Sequence, residues 1–189
     1  EKLIEINPWA HMVRLARTGG EANAIAIRIA RAASAKDGVA ICGYHGWHDW
    51  YLAANIKNSS LDELLIPGLK PLGVPDYLKN TINACNVEEL DQAILKHKPS
   101  IVVFEGSRSE LQNKSTIKTL KSFQTNGGIL IADEITSGFR TKSLTFSKKY
   151  NLKPDILILG KALGSGYAIS AVGCKNDVKN ADLLNDVFA

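Results

Sequence analysis

The chain has 189 residues, 45% hydrophobic and 22% charged, enough to bury a sizeable core in the manner of an ordinary globular domain. Its net charge of +4 is mild and comes without a dense basic run, which argues against a nucleic-acid partner, and no apolar run is long enough to span a bilayer. Cys42, Cys85 and Cys174 are an odd number without a C-x-x-C pair, a pattern that favours thiols in a reducing cytoplasm over a disulfide framework or a zinc site. No targeting segment is visible, and the ends, Glu1 without an initiator methionine and Ala189 without a stop signal, together suggest a piece of something longer.

In chain order, residues 1–16 are an irregular mixture broken by Pro8 that closes on a predicted strand over 12–16. At Arg17-Thr18-Gly19-Gly20-Glu21-Ala22 the period becomes helical, with Ala22, Ile25, Ile29 and Ala32 on one face and Arg28 and Arg31 leaving it. Thr18 and Glu21 have capping-box spacing. Two glycines opening a helix leave its first N–H groups bare, so the turn reads equally as an anion site or as a plain strand-to-helix connection. A buried strand over 39–43 runs into Tyr44-His45-Gly46-Trp47-His48-Asp49-Trp50-Tyr51, an aromatic cluster suited to stacking on a flat ring. His45, His48 and Asp49 lack a third ligand at convincing spacing, so they do not argue for a metal.

Residues 56–86 are the least informative: Gly68, Pro71, Gly73 and Pro75 mark a loop, and 77–86 reads as an extended excursion. A helix over 87–98 turns Leu90, Ala93 and Ile94 inward and stops at Pro99. A strand over 101–105, a loop through Arg108 and Glu110, and a helix over 115–124 ending at Gly127-Gly128 follow. The strand over 129–132 carries Asp133-Glu134 at its carboxyl end, and Ser137-Gly138-Phe139-Arg140 turns away into an irregular segment. Four branched aliphatics over 156–159 make another buried strand, followed by Gly160-Lys161 and Gly164-Ser165-Gly166. A lysine at that lip suits a phosphate, a carboxylate or an attacked carbonyl as partner, or is an ordinary strand-end lysine. The final strand, over 169–173, follows too closely for a helical crossover and is expected to be antiparallel.

Strand alternating with helix predicts an α/β fold, a three-layer sandwich with a mostly parallel sheet covered on both faces. Gly19-Gly20, Tyr44, Asp133 and Lys161 all fall just after strands, the edge at which open α/β sheets bind ligands. A helix N-terminus for a phosphate, an aromatic ring, an acid and a lysine are together what pyridoxal phosphate requires.

Those same stretches resemble the class III (fold type I) pyridoxal-phosphate-dependent aminotransferases, most closely the branch with glutamate-1-semialdehyde aminomutase, in colinear order along nearly the whole chain. Arg17-Thr18-Gly19-Gly20-Glu21-Ala22 resembles the family's phosphate cup, and Tyr44-His45-Gly46 its aromatic-His-Gly stack. Phe104-Glu105-Gly106 stands where the family has Glu-Pro. Ala132-Asp133-Glu134-Ile135 with Gly138-Phe139-Arg140, and Leu159-Gly160-Lys161 with Gly164-Ser165-Gly166, carry the most specific likeness.

The resemblance implies that Lys161 is the Schiff-base lysine and Asp133 the partner of the pyridinium. It implies that Tyr44 stacks on one ring face, Ile135 packs on the other, and Gly19 and Gly20 offer N–H groups to the phosphate. Thr136 would reach the ring hydroxyl and Glu110 would lie near the substrate carboxylate. Glu134 is structural on this reading, and His45 is either packing or close to substrate. Gly20 departs from the family's hydroxyl residue and Gly106 from its proline. The family's N-terminal covering segment, small C-terminal domain and Ser/Thr-rich segment beyond the lysine are not in the chain, so residues 1–189 are expected to be an incomplete large domain.

The activity implied is transfer of an amino group between an amino donor and a carbonyl acceptor, by a homodimer whose partners meet near Gly19-Gly20 and Tyr44. An aminomutase, and a truncated non-catalytic domain that binds cofactor weakly or only assembles, are the alternatives.

Overall fold

A computed structural model describes residues 1–56, 71–78, 80–84, 86–106 and 113–178. Glu110, one of the expected substrate-side residues, lies outside them. Among the described residues seven strands form one sheet in the order β1-β7-β6-β5-β4-β2-β3: β1 (Met12–Ala16), β2 (Val39–Cys42), β3 (Thr81–Asn83), β4 (Ile101–Glu105), β5 (Ile129–Asp133), β6 (Ile156–Leu159) and β7 (Ser170–Cys174). Only β7 runs against its neighbours, pairing antiparallel with both β6 and β1. The short link from Lys161 to Ser170 leaves no room for a crossover, as the sequence predicts. Every other pairing is parallel.

The helices are α1 (Lys2–Ile6), α2 (Gly19–Ser34), α3 (Asp49–Leu52), α4 (Val87–His97), α5 (Lys114–Thr125) and α6 (Phe146–Lys149). Strand alternation sorts the core into two layers. Val39, Ile41, Ile101, Val103, Ile131, Ile156 and Ile158 face α2 and the Trp50-Tyr51 corner. Ala40, Val102, Phe104, Leu130, Ala132, Leu157 and Leu159 face α4, α5 and Phe146. The central strands are buried on both faces, hence their unbroken runs of branched residues.

The short elements α1, α3, β3 and α6 are not legible as such in the sequence, since three to five residues are too few for a period to show. The inward face of α2 also differs from its apolar pattern. Ala22, Asn23, Ala26, Ile27, Ile29 and Ala30 are buried, whereas Ile25 and Ala32 are only partly so. The helix has turned to bring the amide of Asn23 against the sheet, and small alanines let it approach closely.

Side-chain parity separates the adjacent acids. Glu134 continues the Ala132 face, away from α2, and is fully buried. Its Oε1 accepts from Ser147 N at 2.8 Å, its Oε2 accepts from Phe146 N, and Ser137 Oγ donates to Oε2 at 3.4 Å. The carboxylate thus ties the 137–146 excursion back to β5, the structural role expected of it. Gly106 belongs to the same arrangement, because a Cβ there would lie 2.4 Å from Cγ of the Phe146 ring. That ring packs edge-on against Phe104 at 5.7 Å, filling space a proline would need.

Burial pushes the Glu134 carboxyl above the ordinary carboxylate range, with the N–H and hydroxyl donors pulling the other way. The folded state therefore holds this proton more tightly than the unfolded chain does, so the contribution falls as pH rises from the unfolded value through the raised one. Glu134→Gln sets an amide NH2 against a backbone N–H and should cost about 1–3 kcal/mol. Urea unfolding across that pH window should show the loss, and should show the variant without Glu134's pH-dependent decline.

Candidate active site

The carboxyl ends of β1, β2, β5 and β6 surround a cavity of about 410 Å³ lined by residues that include Thr18, Gly19, Gly20, Asn23, Tyr44, His45, His48, Asp133, Ile135, Thr136 and Lys161. Such a volume is typical of a small-molecule site. Each wall follows from local chemistry.

β1 ends at Ala16 and α2 begins at Gly19, with Thr18 between them as a complete capping box. Glu21 N donates to Thr18 Oγ1 at 3.1 Å, while Glu21 Oε2 accepts from Arg17 N at 2.8 Å and Thr18 N at 3.4 Å. Those N–H groups hold the Glu21 carboxyl below its usual range. Ser170 Oγ, at the start of β7, donates to Thr18 O at 2.8 Å and fixes the turn against the sheet. Gly19 lets Ile135 pack close, since a Cβ would lie 2.6 Å from its Cδ1 and push that methyl aside.

After β2 the chain bends at Gly43, whose φ of +110° suits glycine. A Cβ there would also fall 2.6 Å from Cβ of buried Glu105, whose Oε2 accepts from Tyr44 N at 3.0 Å. Tyr44 is half-exposed on the cavity wall, its ring edge-on to buried Tyr51 at 5.9 Å. Tyr51 OH donates to Gly43 O at 3.2 Å, which braces the bend from below.

Asp133 shares the Ile131 face and so points towards α2, buried to 3% exposure. Asn23 Nδ2 donates to its Oδ2 at 2.9 Å, His45 Nδ1 meets the same oxygen at 2.8 Å, and Ile135 N donates to Oδ1 at 3.1 Å. An ionised carboxylate only accepts, so His45 Nδ1 carries the hydrogen, and the buried Nε2 has no hydrogen-bond partner. Asn23 Nδ2 also reaches Gly19 O at 3.1 Å, while its Oδ1 is buried without a partner. His45, 1% exposed and stacked near Trp50 at 6.2 Å, therefore buttresses Asp133.

Lys161 follows Gly160 beyond β6 and opens a single 3-10 turn. Its φ of +46° is uncommon for a side chain with a Cβ, an observed local strain of the kind that clusters at working sites. Its Nζ donates to Thr136 Oγ1 at 2.9 Å. Ile135 lies between the two halves of this wall: a Cβ on Gly160 would be 3.3 Å from its Cγ2.

All the expected residues within the described set thus converge: Gly19, Gly20, Tyr44, His45, Asp133, Ile135, Thr136 and Lys161 line one cavity. Asn23 and His48 line it too, although no motif nominated them. Asn23 could have been found as an amide one helical turn beyond Gly19 among alanines. His48 carries no such signal, because only the folded loop brings it to α2.

The aminotransferase class-III family model matches residues 1–185. The chain is 31% identical over 200 residues to 3-aminobutyryl-CoA aminotransferase of Cloacimonas acidaminovorans, with all of this chain and 44% of that protein covered. It is 34% identical over 189 residues to glutamate-1-semialdehyde 2,1-aminomutase of Nitrosopumilus maritimus, covering 94% of this chain and 43% of that protein. It thus spans less than half the length of these curated relatives. Among solved structures, the fold is similar to a transaminase with PLP bound (TM-score 0.76, 23% identity, 93% of this chain and 43% of that one) and to an S-selective transaminase from Bacillus megaterium (TM-score 0.77, 20% identity, 98% and 47%). With the family match running through every strand and every described residue of the cavity, the chain belongs to the class-III aminotransferases.

Proposed function

We propose that residues 1–189 form the cofactor-binding large domain of a pyridoxal-phosphate-dependent aminotransferase, which moves an amino group from an amino donor to a carbonyl acceptor. The observation that carries this reading is the convergence of Lys161 Nζ and the triply bonded Asp133 carboxylate on one cavity beside a glycine-opened helix N-terminus.

The residues fit the cofactor. Gly19 and Gly20 let Ile135 and His48 close in on the start of α2, where first-turn N–H groups and the helix dipole favour a phosphate. Tyr44 and Ile135, both on the cavity lining, would bound the two faces of a flat ring, and Asp133 would face its nitrogen. The partnerless Asn23 Oδ1 and His45 Nε2 are buried polar atoms in the same lining.

Bound pyridoxal phosphate supplies a carbonyl for capture by an amine and a ring that draws electrons from the carbon bearing the amino group. Lys161 Nζ is the amine that would meet that carbonyl, and the base and acid that would take and return the proton. Thr136 Oγ1 keeps that amine on the cavity side of its turn. Asp133 is fixed by three donors that replace the water burial removes, and it would be the group to partner the ring nitrogen.

An aminomutase reading is favoured by the 34% identity to the N. maritimus protein, and the same residues would serve it. Product analysis separates the two, since an aminomutase leaves the amino group on its original carbon skeleton. We also propose a homodimer closing over the cavity mouth, where Tyr44, Trp47 and Tyr167 are 40%, 70% and 86% exposed. A cytoplasmic setting is in keeping with the buried thiols of Cys42 and Cys174.

Three measurements on the full-length protein test this reading. Borohydride treatment with pyridoxal phosphate present should fix the cofactor to the peptide containing Lys161, and Lys161→Ala should lose label together with about 10³-fold or more in turnover. Label on another lysine would remove Lys161 from its role, and a wild-type protein with no new near-visible absorbance band would leave the non-catalytic alternative. Asp133→Asn should keep the fold but cut turnover by about 10²-fold or more; near-normal rates would remove Asp133 from its role. Sedimentation should show a dimer at about ten micromolar, and a clean monomer there would overturn the assembly.

A further inference from the structure

Gly20 is the second residue of α2, and the loop after β2 lies directly on it. Gly46, at φ +95°, makes the approach, for a Cβ there would be 3.2 Å from Gly20 Cα. A Cβ on Gly20 would in turn fall 2.8 Å from Cδ2 and 3.0 Å from Nε2 of His48. The imidazole therefore occupies the space that a side chain at position 20 would fill, and it does so on the cavity wall beside the first-turn N–H groups.

The His48 ring stands close enough to the Glu21 carboxylate for their charges to interact, but among the described residues its side chain makes no hydrogen bond. It stands at the N-cap of α3 but makes no side-chain cap bond there. Among the described residues its ring contact is with Trp47, stacked at 5.4 Å and 23°, which holds the imidazole plane in place. A glycine at position 20 removes any side-chain donor of its own, whereas an imidazole ring nitrogen can donate to a phosphate oxygen.

We infer that His48 is a cofactor-phosphate ligand, its Nε2 supplying across the loop the side-chain hydrogen bond that Gly20 cannot make. The inference deepens the cofactor reading above and rests on it. Gly20 and His48 then act as a pair: the missing Cβ admits the ring, and the ring replaces the missing donor. His48 touches the phosphate end of the cofactor and takes no part in proton transfer.

The test uses full-length apoprotein titrated with pyridoxal phosphate and, separately, with pyridoxal, which lacks the phosphate. Binding is read by absorbance of the bound chromophore rather than by turnover. His48→Ala should raise the Kd for pyridoxal phosphate about tenfold or more while leaving that for pyridoxal within about twofold. Adding Gly20→Ser to His48→Ala, now free of the clash, should recover most of the loss. An equal loss for both ligands would make His48 a packing residue, and no loss for either would remove it from the site; both outcomes overturn the inference but leave the cofactor reading intact. A wild-type protein that takes up neither ligand would overturn that reading and this inference with it.

Discussion

The structure is organised around one buried charge. Asp133 lies at the end of a central strand, 3% exposed, where an ionised carboxylate without partners would cost several kcal/mol. Its donors come from three separate places: Asn23 on α2, His45 after β2, and the backbone of Ile135 in its own turn. Each can reach only if its element is docked correctly. The acid therefore sets the rotation of α2, the path of the loop beyond β2 and the first bend after β5 together.

The same geometry accounts for the glycines. Gly19 yields to Ile135, Gly43 to Glu105, Gly20 to His48, and Gly46 to Gly20 itself. Backbone and side chain approach where a ligand's polar end would need them close, and a methyl group at any of these points would push a wall outward. Lys161 adds the complementary case, a residue with a long side chain held at positive φ by the turn that joins β6 to β7. The antiparallel β7 matters here, because the brief return it needs leaves Lys161 on a tight lip, in reach of Thr136.

Adjacent acids with opposite fates illustrate how little local composition says about role. Asp133 and Glu134 differ by one residue and thus by one face of the sheet. The first meets an amide and an imidazole on the cavity side; the second meets the N-terminus of α6 and is spent on holding a loop. Gly106 and Phe146 show a similar division of labour, a departure from the expected proline being matched by a ring in its place.

Much of this was determined by the sequence alone, where the controlling forces act over a few residues. Branched runs marked β2, β4, β5 and β6, the Thr18–Glu21 spacing marked the cap of α2, and the short link to β7 implied its reversed direction. The positions of Gly19, Tyr44, Asp133 and Lys161 after strands were likewise readable, since parallel strands bring their carboxyl ends to one edge. What only tertiary structure decided is which distant groups meet there. Asn23 and His45 stand 110 and 88 residues from Asp133, and neither pairing is encoded in any local period. They arise because the strand order puts β6, β5, β4 and β2 side by side and α2 across one face, so that the partners of a buried charge are chosen by the packing of whole elements.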